Sequence, residues 1–198
     1  MRDEFRNEQN WKSRGFLPHY DASLKYQMIT YRLADSLPQR VLKSIKASKG
    51  ESLKQRILIE GTLDEGHGAC ILKIPEIAQI VIDAWKFFDK SRYDLIAYVV
   101  MPNHVHVLIK TYEKHSLSQV IHSWKSFTAH EIKKVLRKAG FQSEQKIWQV
   151  EYWDRFMRDE KHFLQAVNYI IDNPVKAGLC TSPEQWPWSS YVSQEDEL

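Results

Sequence analysis

Hydrophobic positions along the chain recur with two different periods, and the changes between them mark out the elements. Gln27-Met-Ile-Thr-Tyr-Arg-Leu33 is rich in β-branched and aromatic residues and predicts a strand. Asp35-Ser-Leu-Pro38 supplies turn and helix-start chemistry, since proline suits the first helical turn. A helix is expected from there to about residue 58, interrupted near Lys49-Gly50. Gly61 to Gly68, three glycines with Asp64 and Glu65, reads as a loop. Pro75-Glu-Ile77 opens a second helix, in which Ile77, Ile80, Val81, Ala84, Trp85 and Phe88 recur at helical spacing. Arg92 to Val100 and His104 to Lys110 are strands, joined by Met101-Pro-Asn103 into a hairpin. Leu117 to Ala139 is a long amphipathic helix with Val120, Ile121, Trp124, Phe127, Ile132 and Val135 on its buried side; Gly140 stops it. Trp148 to Phe156 is aromatic and extended. Glu160 to Asn173 is a last helix, ended by Pro174. Trp186-Pro-Trp188 belongs to a covering segment.

Strand, helix, two-stranded hairpin, helix, strand is the order of an α+β, ferredoxin-like βαββαβ sandwich, with helix 160–173 added to it. The polar stretch 1–20 reads as an irregular arm, 21–191 as a single domain and 192–198 as an acidic tail. The 198 residues suffice for a core without staples. Cys70 and Cys180 lie far apart and fit no C-x-x-C spacing, which argues against a disulfide framework or a thiolate zinc site. No apolar run approaches the ~20 residues of a membrane span. The charged start Met1-Arg-Asp-Glu-Phe-Arg6 lacks the apolar core of a secretory signal. The expectation is a cytoplasmic protein, away from membranes.

The net charge is only +3, but it is unevenly spread. Between Lys110 and Lys138 seven basic residues face two acidic ones, a local net of +5, with His115, His122 and His130 among them. Such a stretch suits either a solvated helix surface or a polyanion-binding face.

His104-Val-His-Val-Leu-Ile109 carries the sharpest chemistry. Alternate strand side chains share a face, so His104 and His106 project together while Val105 and Val107 point into a core. Two imidazoles about 7 Å apart along a strand can converge on one metal ion, although paired strand histidines also serve as hydrogen-bonding core residues. In Asn168-Tyr-Ile-Ile-Asp-Asn-Pro174, Tyr169 and Asn173 are four apart and share a helix face. A phenol beside an amide, near a two-histidine metal, is an arrangement for attack on a phosphodiester; the plain alternative is a core tyrosine with a satisfied hydroxyl.

Taken together, His104-Val-His106, Tyr169 to Gly178, Gly66-His-Gly68, Ser123-Trp-Lys-Ser-Phe-Thr128, Tyr152-Trp-Asp-Arg155, Arg158-Asp159 and Trp186-Pro-Trp-Ser-Ser190 resemble the REP-associated tyrosine transposases. These are single-tyrosine members of the HUH endonuclease superfamily, named for His–hydrophobic–His. The resemblance implies a metal-dependent single-stranded DNA endonuclease and strand transferase acting on REP-type hairpins. Tyr169 would be the nucleophile and form a 5′-phosphotyrosine link. His104, His106 and Asn173 would hold Mg²⁺ or Mn²⁺. The wider group has Gln at the third position, and Asp172 is the alternative ligand. Lys125, Arg155 and Arg158 are candidates for DNA backbone contact, each equally able to form a surface ion pair. Trp11, Tyr20, Trp148 and Trp153 are candidates for base stacking or for the core. An ordinary tyrosine titrates near pH 10, so a base is needed; His162 lies seven residues before Tyr169 and is the candidate, with a packing role beside it. The expected partner is a single-stranded DNA hairpin in the nucleoid, handled by a monomer or a homodimer. A hairpin-binding protein without catalysis, and a metal hydrolase that makes no covalent tyrosine link, are the competing readings.

Overall fold

The computed structural model describes residues 11–13, 18–21, 23–47, 53–141 and 145–191. In chain order these form β1 (Trp11–Ser13), β2 (Pro18–Tyr20), β3 (Tyr26–Arg32), α1 (Gln39–Ala47), α2 (Leu53–Asp64), α3 (Pro75–Lys86), β4 (Tyr93–Val100), β5 (His104–Thr111), α4 (Leu117–Lys138), β6 (Trp153–Phe156) and α5 (Glu160–Lys176). The four longer-range strands make one antiparallel sheet in the order β4-β5-β3-β6, the strand order of a ferredoxin-like sandwich. The expected fold class is therefore the observed one.

Strand alternation divides the sheet into two faces. On one, Ile29, Tyr31, Val105, Val107 and Ile109 meet α3 and α4, through Ile77, Val81, Trp85, Val120, Ile121 and Trp124. Large aromatic residues here carry polar atoms, and each finds a partner, as buried polar groups must. Trp85 Nε1 donates to Tyr31 Oη, Tyr93 Oη donates to the Trp85 carbonyl, and Trp124 Nε1 donates to Tyr93 Oη. Burial raises the pKa of Tyr31 and Tyr93 far above the usual phenol value, so both hydroxyls stay protonated. On the other face, Met28, Leu108, Ala97 and Val99 meet Ala166 and Ile170 of α5.

Both outer strands are covered. The Trp186 to Ser190 segment runs along β4, with Val100 N–H donating to the Trp188 carbonyl and Ser190 N–H to that of Tyr98. Beside β6 lies β2, where His19 and the Tyr20 N–H both bond the buried carboxylate of Asp154. Free strand edges invite pairing with other chains, and these covers remove that hazard.

Several expectations change. The stretch read as an irregular arm contains the antiparallel β1–β2 hairpin; residues 1–10 of it, and the acidic tail 192–198, lie outside the described residues. Helix α2 runs through Gly61 to Asp64, so the loop starts at Glu65. The burial of Ile59 and Leu63 against Leu37 and Val41 outweighs the roughly 1 kcal/mol that a helical glycine costs. Phe127 is 52% exposed, and Thr128 takes the buried place one residue on. The stripe Val120, Trp124, Thr128, Ile132 steps by four, and Phe127 lies about 100° round the helix from Thr128. Helix α5 does not end at Asn173 but carries Pro174 inside its last turn, continuing to Lys176. There the proline forfeits only one backbone bond, and its ring is buried. No described helix is long and apolar enough to cross a membrane.

Lys125 of α4 donates to the carbonyls of Gln149 and Val150 at 2.5 and 2.7 Å, tying the segment before β6 to the helix. Burial, together with Arg32 and against the pull of Glu151, lowers its pKa from 10.5 to about 8. Below pH 8 the ammonium is charged in both the folded and unfolded chain, and burying it opposes folding. Between about pH 8 and 10.5 the folded chain has released that proton while the unfolded chain still holds it, so this group's contribution to stability rises with pH. Urea denaturation of the wild type and Lys125→Met should show the wild type gaining relative to the variant between pH 8 and 10; a pH-independent difference would contradict this.

Candidate active site

His104 and His106 stand on the α5 face of the sheet, each about 1% exposed, with ring centroids 4.9 Å apart. Their neighbours fix both rings. Asn103 Nδ2 donates to the His67 carbonyl, so its Oδ1 is left to accept, and His104 Nδ1 donates to it at 2.7 Å. The ring proton of neutral His104 is thereby placed on Nδ1, and Nε2 carries a lone pair into the site. Burial lowers the His104 pKa from 6.5 to about 3, keeping the imidazole neutral. His106 Nδ1 is bonded to Thr30 Oγ1 at 2.7 Å across the strand pair.

The His67 carbonyl that holds Asn103 is itself placed by the Gly66-His-Gly68 turn. Gly68 has φ +87°, and a Cβ there would lie 2.7 Å from the Asp35 carbonyl oxygen. The Ala69 N–H donates to the Asp35 carboxylate in the same contact. A chain of contacts therefore runs from the β3–α1 turn through Gly68, His67 and Asn103 to the His104 ring.

Helix α5 supplies the second wall. Asp159 caps it by accepting from the His162 N–H, and Ala166, Ile170 and Asn173 form its buried stripe. Tyr169 lies at the margin of that stripe, half-buried, with its ring edge-on to His106 at 5.2 Å between centroids. Asn173 is 2% exposed, and its buried Oδ1 makes no hydrogen bond among the described residues. Asp172 is half-exposed on the outer side of α5, 3.8 Å from Lys176.

Sequence reasoning missed two members. Asp64, placed in a loop, ends α2 with Oδ1 3.8 Å from His104 Nε2. Burial and the nearby Glu60 raise its pKa to about 6. Its signal, an acid four residues after Glu60, was hidden by the glycines around it. Arg32 pairs with His104 in register and is 4% exposed. It donates to Ser36 Oγ and the Leu33 carbonyl and forms no ion pair among the described residues; burial lowers its pKa to about 10. A buried guanidinium that no described carboxylate pairs adds positive charge beside the histidines.

The other candidates separate. Arg155 lines a cavity of about 490 Å³ together with Tyr169, and His162 lines it too. The Arg158 N–H donates to His162 Nδ1 at 3.4 Å, which gives that buried ring a packing and hydrogen-bonding role beside α5. Lys125 sits on the opposite face of the sheet, held by carbonyls. Arg158 is exposed just ahead of α5. Tyr20 and Trp148 are buried, against Phe156 and Tyr31 respectively, and the partly buried Trp153 packs on the Leu37 cluster. The side chain of Trp11 lies outside the described residues.

No three His, Cys, Asp or Glu side chains among the described residues form a metal-holding group by themselves. The donor set that does fit a divalent ion is mixed: two imidazoles oriented by hydrogen bonds at Nδ1, and a buried amide oxygen that bonds no other described residue.

Residues 73–173 match the family model described as "Transposase IS200 like". The chain is 31% identical over 100 residues to a REP-associated tyrosine transposase of Escherichia coli, covering 50% of this chain and 54% of that protein. It is 27% identical over 104 residues to a Haemophilus influenzae protein provisionally named for the same class, covering 50% and 59%. These matches thus span less than two thirds of the relatives' own length. A solved structure of a REP-associated tyrosine transposase bound to a REP hairpin shares the fold, with a TM-score of 0.56 at 18% identity, over 89% of this chain and 82% of that one.

The hydrogen-bond chain through Asn103 predicts the tautomer of His104. Long-range ¹H–¹⁵N spectra at pH 7 should show its proton on Nδ1 in the wild type and a mixture of tautomers in Asn103→Ala. An Nε2–H tautomer in the wild type would contradict the arrangement.

Proposed function

Since the chain belongs to the IS200-like transposase family, we propose that it is a metal-dependent endonuclease and strand transferase for single-stranded DNA, acting on REP-type hairpins through Tyr169. One observation carries this reading: the Tyr169 ring packs against His106, one helical turn from the buried amide oxygen of Asn173, which bonds no other described residue. The nucleophile and the metal-binding donors thus share one corner between β5 and α5.

The chain's own residues perform most of the work. Helix α5 presents the Tyr169 hydroxyl at the margin of the buried stripe, where a DNA phosphate has access from solvent. Arg155, beside the same cavity, and Arg32, behind the histidines, favour an anionic phosphodiester there. His104, His106 and Asn173 would hold Mg²⁺ or Mn²⁺, with Asp64 adjoining His104. A divalent cation so held supplies Lewis-acid polarisation of the scissile phosphate. The Tyr169 hydroxyl gives up its proton as its oxygen bonds to phosphorus, and the phosphorus–O3′ bond breaks with its electron pair going to O3′, which takes up one proton in exchange. The strand is left with a free 3′-OH and a 5′-phosphotyrosine. Attack by a DNA 3′-OH reverses the exchange: a new phosphodiester forms and the tyrosine oxygen leaves. The number and type of bonds are conserved, so no external energy source is required.

The half-exposed acid Asp172, on the outer side of α5 near Lys176, leaves Asn173 the better third ligand. Asn173→Ala should weaken Mn²⁺ binding by about 10–100-fold, read by calorimetry.

The direct test is a labelled REP-type hairpin incubated with and without Mn²⁺ and analysed on a denaturing gel. The wild type should give a protein-sized labelled adduct only with metal, and Tyr169→Phe should give none while binding the hairpin equally well. Cleavage that survives Tyr169→Phe would replace this reading with metal-dependent hydrolysis, and tight binding with no product would leave a hairpin-binding protein.

A further inference from the structure

The cavity beside Tyr169 has chemistry that cutting a phosphodiester does not by itself require. It lies between α2, β6 and α5 and encloses about 490 Å³, within the range of pockets that bury a small organic group. Two of its walls are apolar, formed by Met28, Met157 and Ala166, all buried at 8% exposure or less. A third is Ile57 of α2, which stays 60% exposed although it is aliphatic. At the mouth stands Gln165, one turn before Tyr169 on α5, with its side chain exposed.

We infer that this cavity receives one unpaired nucleobase of the DNA strand, from the nucleotide next to the phosphodiester that Tyr169 attacks. The inference rests on the proposed function and adds a specificity pocket to it. A flat heteroaromatic ring suits slots lined by methionine and aliphatic side chains, and it would cover the surface that Ile57 leaves exposed among the described residues. The Gln165 amide offers a donor and an acceptor side by side, the pattern that base edges complement. Arg155, which lines the same cavity as Glu60 and is exposed, is placed for the phosphate flanking that base. Tyr169 lines the same cavity, so a base seated here fixes which phosphate meets the hydroxyl. The pocket would thus set the cutting position along the strand, a task the histidines cannot perform because they meet no base.

The experiment uses the full chain carrying Tyr169→Phe, so that binding is read without turnover. A labelled REP-type hairpin with its unpaired foot is titrated, each foot nucleotide being replaced in turn by an abasic residue. At one position the missing base should weaken binding about tenfold or more. With Ile57→Ala and Gln165→Ala added, the loss at that position should shrink to under about threefold, while losses elsewhere are unchanged. Both side chains are exposed, so these changes leave the core intact. Equal losses in both proteins at every position, or no position with a loss, would overturn the pocket. Adduct formation by the wild-type protein is scored separately on a denaturing gel, and its absence would count against the proposed function while leaving the binding result to decide the pocket.

Discussion

The alternation along β5 constrains everything else at the site. Val105, Val107 and Ile109 are fully buried in the aromatic core beneath α3 and α4. At about 1.5–3 kcal/mol for each such side chain, turning the strand over would cost several kcal/mol. A slip of one residue against β3 would have the same effect, because it would exchange the two faces. His104 and His106 therefore cannot turn away from α5 without unburying the core. A stable fold and a formed histidine pair are consequences of one packing decision.

Orientation within that face comes from hydrogen bonds rather than packing. Thr30 sits opposite His106 in the β3–β5 register and bonds its Nδ1. Asn103, the last residue of the hairpin turn, bonds Nδ1 of His104 and is held in turn by the His67 carbonyl. Both rings are thus tied at Nδ1. The tight Gly68–Asp35 contact links this arrangement to the turn after β3, so two segments far apart in sequence jointly fix one imidazole. Helix α5 adds Tyr169 and Asn173 on one face, and its last turn tolerates Pro174 because only the end of the helix is affected.

Much of this was legible in the sequence wherever periodicity is strong. The hairpin, α3, α4 and the shared face of His104 and His106 follow from period-2 and period-3.6 patterns alone. The shared side of Tyr169 and Asn173 follows from a spacing of four. What the sequence concealed depended on tertiary packing. Glycine at position 61 argued for a loop, yet Ile59 and Leu63 find partners that keep α2 helical, and this is what brings Asp64 within 3.8 Å of His104. Lys125 looked like a free cation, but its ammonium is spent on two carbonyls of a segment whose course no local pattern reveals. Arg32 was visible only as part of a strand; its burial, with no described carboxylate paired to it, required the fold.

The account stands or falls on the atom that bonds to DNA. Trapping the hairpin adduct, digesting both protein and DNA, and sequencing the nucleotide-bearing peptide by mass spectrometry would identify it. The account predicts a nucleotide 5′-phosphate on Tyr169, within the peptide that also holds Asn173. A nucleotide on any other side chain would contradict it.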